Sequence, residues 1–131
     1  MIVEVEKIAK FPSSPLLAQI RTPFGHTAVR WCGAPDIPSG QYPVEWTIDE
    51  EIVWGQNARP AGEASPTLQQ EGHRVIVRGR LKLTIDGAAI LDLGGDQILL
   101  DVVGSIPTAT DGSWVNLYLQ REKVALHPYE L

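Results

Sequence analysis

The stretch "HRVIVRGRLKLTIDG", His73 to Gly87, decides how this chain is read. Val75, Val77, Leu81, Leu83 and Ile85 recur at every second position, and Gly79 falls in the same row. Successive side chains of a strand point to opposite faces, so this period predicts one long β-strand with a buried face. Arg74, Arg78, Arg80 and Lys82 occupy the opposite row and are expected to face outward. A glycine inside a long strand marks a sharp bend of the kind found at barrel corners, and Gly79 is read that way.

The pattern continues downstream. Asp86–Gly87 is a hairpin signal. A strict two-residue turn would pair Ile85 with Ala88 and turn Leu91 and Leu93 away from the core. A three-residue loop, Asp86 to Ala88, pairs Ile85 with Ala89 and keeps Ala89, Leu91 and Leu93 inward. A one-residue slip flips every side chain, so the three-residue loop is preferred. It sets Lys82 opposite Asp92, an opposite-charge pair. "GGDQ" is the next turn, after which Ile98, Leu100 and Val102 are expected inward against Leu93, Leu91 and Ala89. The segment 104–113 reads as a loop. "WVNLYLQ" then sets Val115, Leu117 and Leu119 against Trp114, Asn116 and Tyr118, and "REK" turns into a last strand, "VALH".

Upstream, "IVEVEKI" alternates Val3 and Val5 with Glu4 and Glu6, and "FPSSP" breaks it. "LLAQI" and "TAVRW" are short strand candidates around the turn region "RTPFGH". Val44, Trp46 and Ile48 alternate with Glu45, Thr47 and Asp49. The run Asp49–Glu51 interrupts this phase as a turn or bulge, and the pattern resumes at Ile52, Val53 and Trp54. The segment from Gln56 to Gly72 shows no regular pattern and reads as a long loop, either functional or disordered.

Strands punctuated by Gly and Pro throughout predict an all-β fold, a small and mainly antiparallel barrel or sandwich. A long bent strand, two hairpin partners, a loop and two final strands resemble the five-stranded barrel of the oligonucleotide/oligosaccharide-binding (OB) class. The resemblance covers residues 44–127 of a single domain, with 1–43 as added N-terminal strands and loops. It carries no signature motif.

With 131 residues, the chain is long enough to bury a working core. Eleven Lys and Arg stand against 16 Asp and Glu, a net charge of −5. That balance disfavours general nucleic-acid binding and suits a basic partner. Cys32 is the only cysteine, so no intrachain disulfide is expected. The N-terminus lacks an uninterrupted apolar run and no segment is long and apolar enough for a membrane span, so an unprocessed cytoplasmic protein is expected.

Several constellations of side chains could carry chemistry. Arg74, Arg78 and Arg80, with Trp114 and Tyr118, form a candidate track for single-stranded nucleic acid, with phosphates on the guanidiniums and bases on the rings. The competing reading is the solvated face of a half-buried strand, and it carries more weight. Asp49, Glu50 and Glu51, with Trp54, form a candidate contact for a basic protein, together with the 56–72 loop. Adjacent strand residues diverge, so these three carboxylates are not expected to bind a metal. Trp31 and Trp54 lie near turns, where partial exposure would let them anchor a partner, but core packing is the default reading for each. His26, His73 and His127 show no metal-ligand spacing; His26 and Cys32 could in principle form a nucleophile–base pair, but a single cysteine there reads first as a small buried hydrophobe. No phosphate loop or nucleophile elbow is present.

The expectation is therefore a non-enzymatic module without cofactor or metal. It would bind and mask a basic protein partner, in the manner of a small acidic neutraliser of a bacterial toxin. The alternatives are a single-strand nucleic-acid binder, an enzyme whose site assembles across distant strands, and an accessory or self-assembling β domain.

Overall fold

The computed structural model describes residues 1–10 and 15–129. The break read at "FPSSP" and the end of the chain fall largely outside them. No α-helix forms among the described residues. Eleven strands and two single-turn 3-10 segments account for the regular structure.

Four strands come first: β1 (Ile2–Ala9), β2 (Leu17–Thr22), β3 (Gly25–Trp31) and β4 (Gly40–Ile48). The last strand, β11 (Val124–Pro128), returns to them, and the five close a barrel in the order β1-β2-β3-β11-β4. β4 pairs back onto β1, and β11 runs parallel to β3, while the remaining pairings are antiparallel. Between β4 and β11 the chain builds a second, antiparallel sheet. Its strands are β5 (Ala58–Pro60), β6 (Thr67–Glu71), β7 (Arg74–Leu83), β8 (Ala89–Leu93), β9 (Asp96–Leu100) and β10 (Trp114–Gln120). They run in the order β5-β10-β7-β8-β9, with β6 also beside β7.

The closed barrel therefore runs through residues 2–48 and 124–128, not through 44–127 as expected. The N-terminal strands carry it, and the long strand belongs to the second sheet. Alternation shows which residues are extended and which face they bury. It does not show which edges meet.

β7 holds the second sheet together. One edge pairs with β10 along residues 74–80. The other pairs with β6 along 74–78 and then with β8 along 80–83. Gly79 lies where that partner changes, and a Cβ there would come within 2.5 Å of the Asp92 carbonyl oxygen. Glycine is required because β8 approaches the backbone closely.

The β7–β8 register differs from expectation by two residues. Leu83 pairs with Ala89, Arg80 faces Asp92 and Lys82 faces Ile90. The loop is Thr84–Ala88, held by the Ala88 N–H on Thr84 Oγ1 at 3.0 Å and the Thr84 N–H on the Ala88 carbonyl at 2.9 Å. Ile85 is consequently fully exposed, not part of the inward row. A slip of two preserves the faces, so Ala89, Leu91 and Leu93 are buried as read. The β8–β9 hairpin turns on Gly94–Gly95, both at positive φ, as a two-residue hairpin demands. Ile98 accordingly pairs with Leu91, not Leu93.

Two further expectations change. The 56–72 segment is not one irregular loop: it contributes β5 and β6, and Ala58 and Leu68 enter the core. Residues 52–54 do not resume a strand. Ile52 is fully buried and makes a single parallel bridge to Val102, and Trp54 bridges Ala58. Barrel and sheet share one apolar cluster, from Val3, Ile20 and Trp46 through Ile52 to Val77, Leu91 and Leu117.

Candidate functional site

The outer face of β7 and β10 places the expected basic and aromatic residues together. Trp114 faces Arg80, Asn116 faces Arg78, and Tyr118 faces Ile76. Arg59 of β5 joins them opposite Asn116. Most of these groups are already engaged. Arg78 is only 15% exposed in its side chain. It donates to Thr67 Oγ1 at 2.7 Å and the Ser65 carbonyl at 3.1 Å, and meets Glu63 at 3.4 Å. Arg74 pairs with Glu71 at 2.7 Å and lies over the Tyr118 ring, 5.9 Å from its centroid. Arg80 donates to the Gly112 carbonyl at 2.8 Å. Lys82 is exposed and forms no ion pair among the described residues, and Asp92 is used by its own turn, accepting from the Gly95 N–H at 2.8 Å.

The acidic run divides by role. Asp49 and Glu51 are exposed. Glu50 is half-buried, and both its oxygens are committed: one accepts from the Gln120 N–H at 2.8 Å, the other from Asn57 Nδ2 at 3.1 Å. It ties the end of β4 to the end of β10. Trp54 is half-buried against the core. Trp31 packs in the core, 3% exposed, and donates its indole N–H to the Ala34 carbonyl at 3.0 Å, which leaves it no role as an exposed anchor.

A feature that sequence reasoning missed lies between β4 and β9. A groove of about 550 Å³ is lined by residues 45–49 at the end of β4, by 97 and 99–102 along and just after β9, and by 87–89 at the start of β8. Its carboxylates are Glu45, Asp49 and Asp101, and no lysine or arginine lines it. Among the described residues, only Asp49 of these has an ion-pair partner, Arg30 at 4.0 Å. Leu99 stands in the wall 68% exposed. Trp46 also lines the groove, and its buried indole N–H finds no acceptor among the described residues. In sequence Glu45, Asp101 and Leu99 are ordinary outward residues of separate strands, and no local signal joins them.

His26 and Cys32 do not meet. His26 pairs with Arg21 at the start of β3, and Cys32 follows the end of that strand. Six residues of strand separate them by about 20 Å. His127 Nε2 lies 2.9 Å from Thr47 Oγ1 on the outside of the barrel. No group of three metal-ligating side chains converges among the described residues. No family model, curated protein or solved structure matches this chain.

Proposed function

We propose that the protein is a non-enzymatic module that binds and masks a basic protein partner. The observation that carries this reading is the open groove between β4 and β9, which has three carboxylates and no cationic side chain. A net charge of −5 speeds encounter with a basic surface, and the local carboxylates set where it lands. A small acidic neutraliser of a basic bacterial toxin is the type that this charge and size suit. We read the barrel as OB-type: β4-β1-β2-β3 stand in Greek-key order and β11 completes five strands. The second sheet is then one long insertion before the last barrel strand. The test is co-purification followed by reconstitution from the two purified chains. The expected outcome is a salt-sensitive complex. Tight oligonucleotide binding with no protein partner would replace this reading.

One observation favours single-strand nucleic-acid binding as a second reading. Arg59, Arg74, Arg78 and Arg80 share a sheet face with Trp114 and Tyr118. Phosphates would have to displace Glu63 and Glu71 from two of those guanidiniums. If they do, Arg78→Ala and Arg80→Ala each lower the salt slope of oligonucleotide binding by about 0.7.

A further inference from the structure

The groove between β4 and β9 is bounded by backbone as well as by carboxylates. Val44 exchanges hydrogen bonds with Met1: its N–H donates at 2.8 Å and its carbonyl accepts from the terminal ammonium at 3.2 Å. Backbone groups alternate in direction along a strand, so Trp46 and Ile48 point to that same side, past the end of β1. The neighbouring phase points to β11, as the Asp49 N–H on the Lys123 carbonyl shows at 2.7 Å. On β9, the two-residue turn makes Leu93 and Asp96 the closing pair, so Asp96, Ile98 and Leu100 point to β8. Gln97 and Leu99 point away. Asp101 keeps that phase, its carbonyl accepting the Ile52 N–H at 2.7 Å.

Two strand edges therefore face one another. The N–H and C=O groups of Trp46 and Ile48 on one side, and of Gln97 and Leu99 on the other, find no backbone partner among the described residues. The slit is closed at both ends. The Met1 ammonium meets Asp96 at 2.8 Å at one end, and Ile52 bridges Val102 in parallel at the other. Between these ties the strands run in the same direction without pairing. Exposed unpaired edges are templates for another strand, and extended peptides are captured by such edges through main-chain bonds.

We propose that an extended, basic segment of a partner protein inserts between β4 and β9 as an added strand, joining barrel and second sheet into one continuous ladder. The walls, whose Cα atoms now approach within 8 Å, part to about 9.5 Å, twice the strand spacing, to admit it. This rests on the protein-binding reading above and names how the partner is held. The guest is about five residues long, the span between the two ties, and runs antiparallel to both walls. Its side chains alternate. One row lies over the buried side of Trp46, Ile48 and Leu100 and is apolar. The other stands beside Glu45, Asp49 and Asp101 and carries Lys or Arg, since those carboxylates lie on the outward phase of their strands.

The experiment uses the full chain and a capped synthetic peptide of alternating lysine and valine, read by calorimetry and by indole fluorescence. Three comparisons accompany it: the peptide with glutamate for lysine, the peptide N-methylated at alternate positions, and the variant Leu99→Pro. Proline at 99 removes an N–H that faces the slit and spares the β8 ladder, a placement that edge strands accept. The expected result is binding of the lysine peptide, at least tenfold weaker binding of each altered peptide, and the same loss with folded Leu99→Pro. If Leu99→Pro does not fold, the N-methylated peptide on the unaltered chain carries the test. Undiminished binding of the N-methylated peptide overturns strand addition and leaves the acidic-surface reading standing. Failure of both lysine peptide and basic protein to bind removes both. A dimer that Leu99→Pro dissolves assigns the edge to a second copy and overturns the proposal.

Discussion

The outer face of β7–β10 and the groove between β4 and β9 both present charge to solvent, yet they differ in what that charge is doing. On the basic face, Arg78 and Arg74 are held by Glu63 and Glu71, and Arg80 holds the Gly112 carbonyl. In the groove, among the described residues, Glu45 and Asp101 form no ion pair and two stretches of backbone lack backbone partners. Groups engaged within the fold are less accessible to a ligand. Charge along a sequence is therefore a poor guide to available charge, and the more basic stretch of this acidic chain is the less available one.

That contrast can be broken by mutation. Ile52, fully buried where it ties the end of the groove to Val102, should show the largest effect. Ile52→Ala is expected to cost about 2–5 kcal/mol in urea unfolding, because a cavity opens in the shared core. A small loss would mean that this end of the groove is not a packed seam. Glu50→Ala removes an acceptor from both Gln120 and Asn57 and should cost about 1–2 kcal/mol, allowing for its partial exposure. Glu51→Ala, one residue on, should stay within about 0.5 kcal/mol. Equal effects at the two sites would erase the division of the acidic run into a strut and a free carboxylate. On the basic face, Arg78→Ala should cost about 1 kcal/mol and Arg74→Ala less than about 0.5, since the second pair is half-exposed.

The smallest effect belongs to the β7–β8 loop. Asp86 is held below its ordinary value, first by the Thr84 hydroxyl and then by backbone N–H groups. The folded carboxyl thus binds its proton less readily than the unfolded one. Its contribution is present above the unfolded pKa and is lost as pH falls through the folded one. Thr84→Ala should move the Asp86 titration upward, followed by carboxyl NMR. An unmoved midpoint would show that the backbone donors alone set it.

Much of the strand content was legible. Val3 and Val5, Val44 to Ile48, Val75 to Leu81 and Val115 to Leu119 all bury the row their alternation assigned. The β7–β8 register was read two residues out, yet with the faces right. Side-chain period constrains register only to within multiples of two, and here the Thr84–Ala88 hydrogen bonds settle the rest. β5 and β6 escaped notice because three or five polar-rich residues carry no period. They are strands because β10 and β7 offer them edges. Of the candidate site, Asp49 was identified. Glu45, Asp101 and Leu99 were not, since each is unremarkable within its own strand.

By itself, the sequence determined an all-β chain, the inward row of most strands and the presence of a turn within residues 94–97, because steric period and backbone sign are local properties. Only the tertiary structure decided that residues 2–48 and 124–128 close the barrel, and that β4 and β9 face each other unpaired. Which edges meet depends on how the whole core packs. The closure of the barrel by β11 and the facing of β4 and β9 both join residues about 50 or more positions apart, for which no local pattern exists.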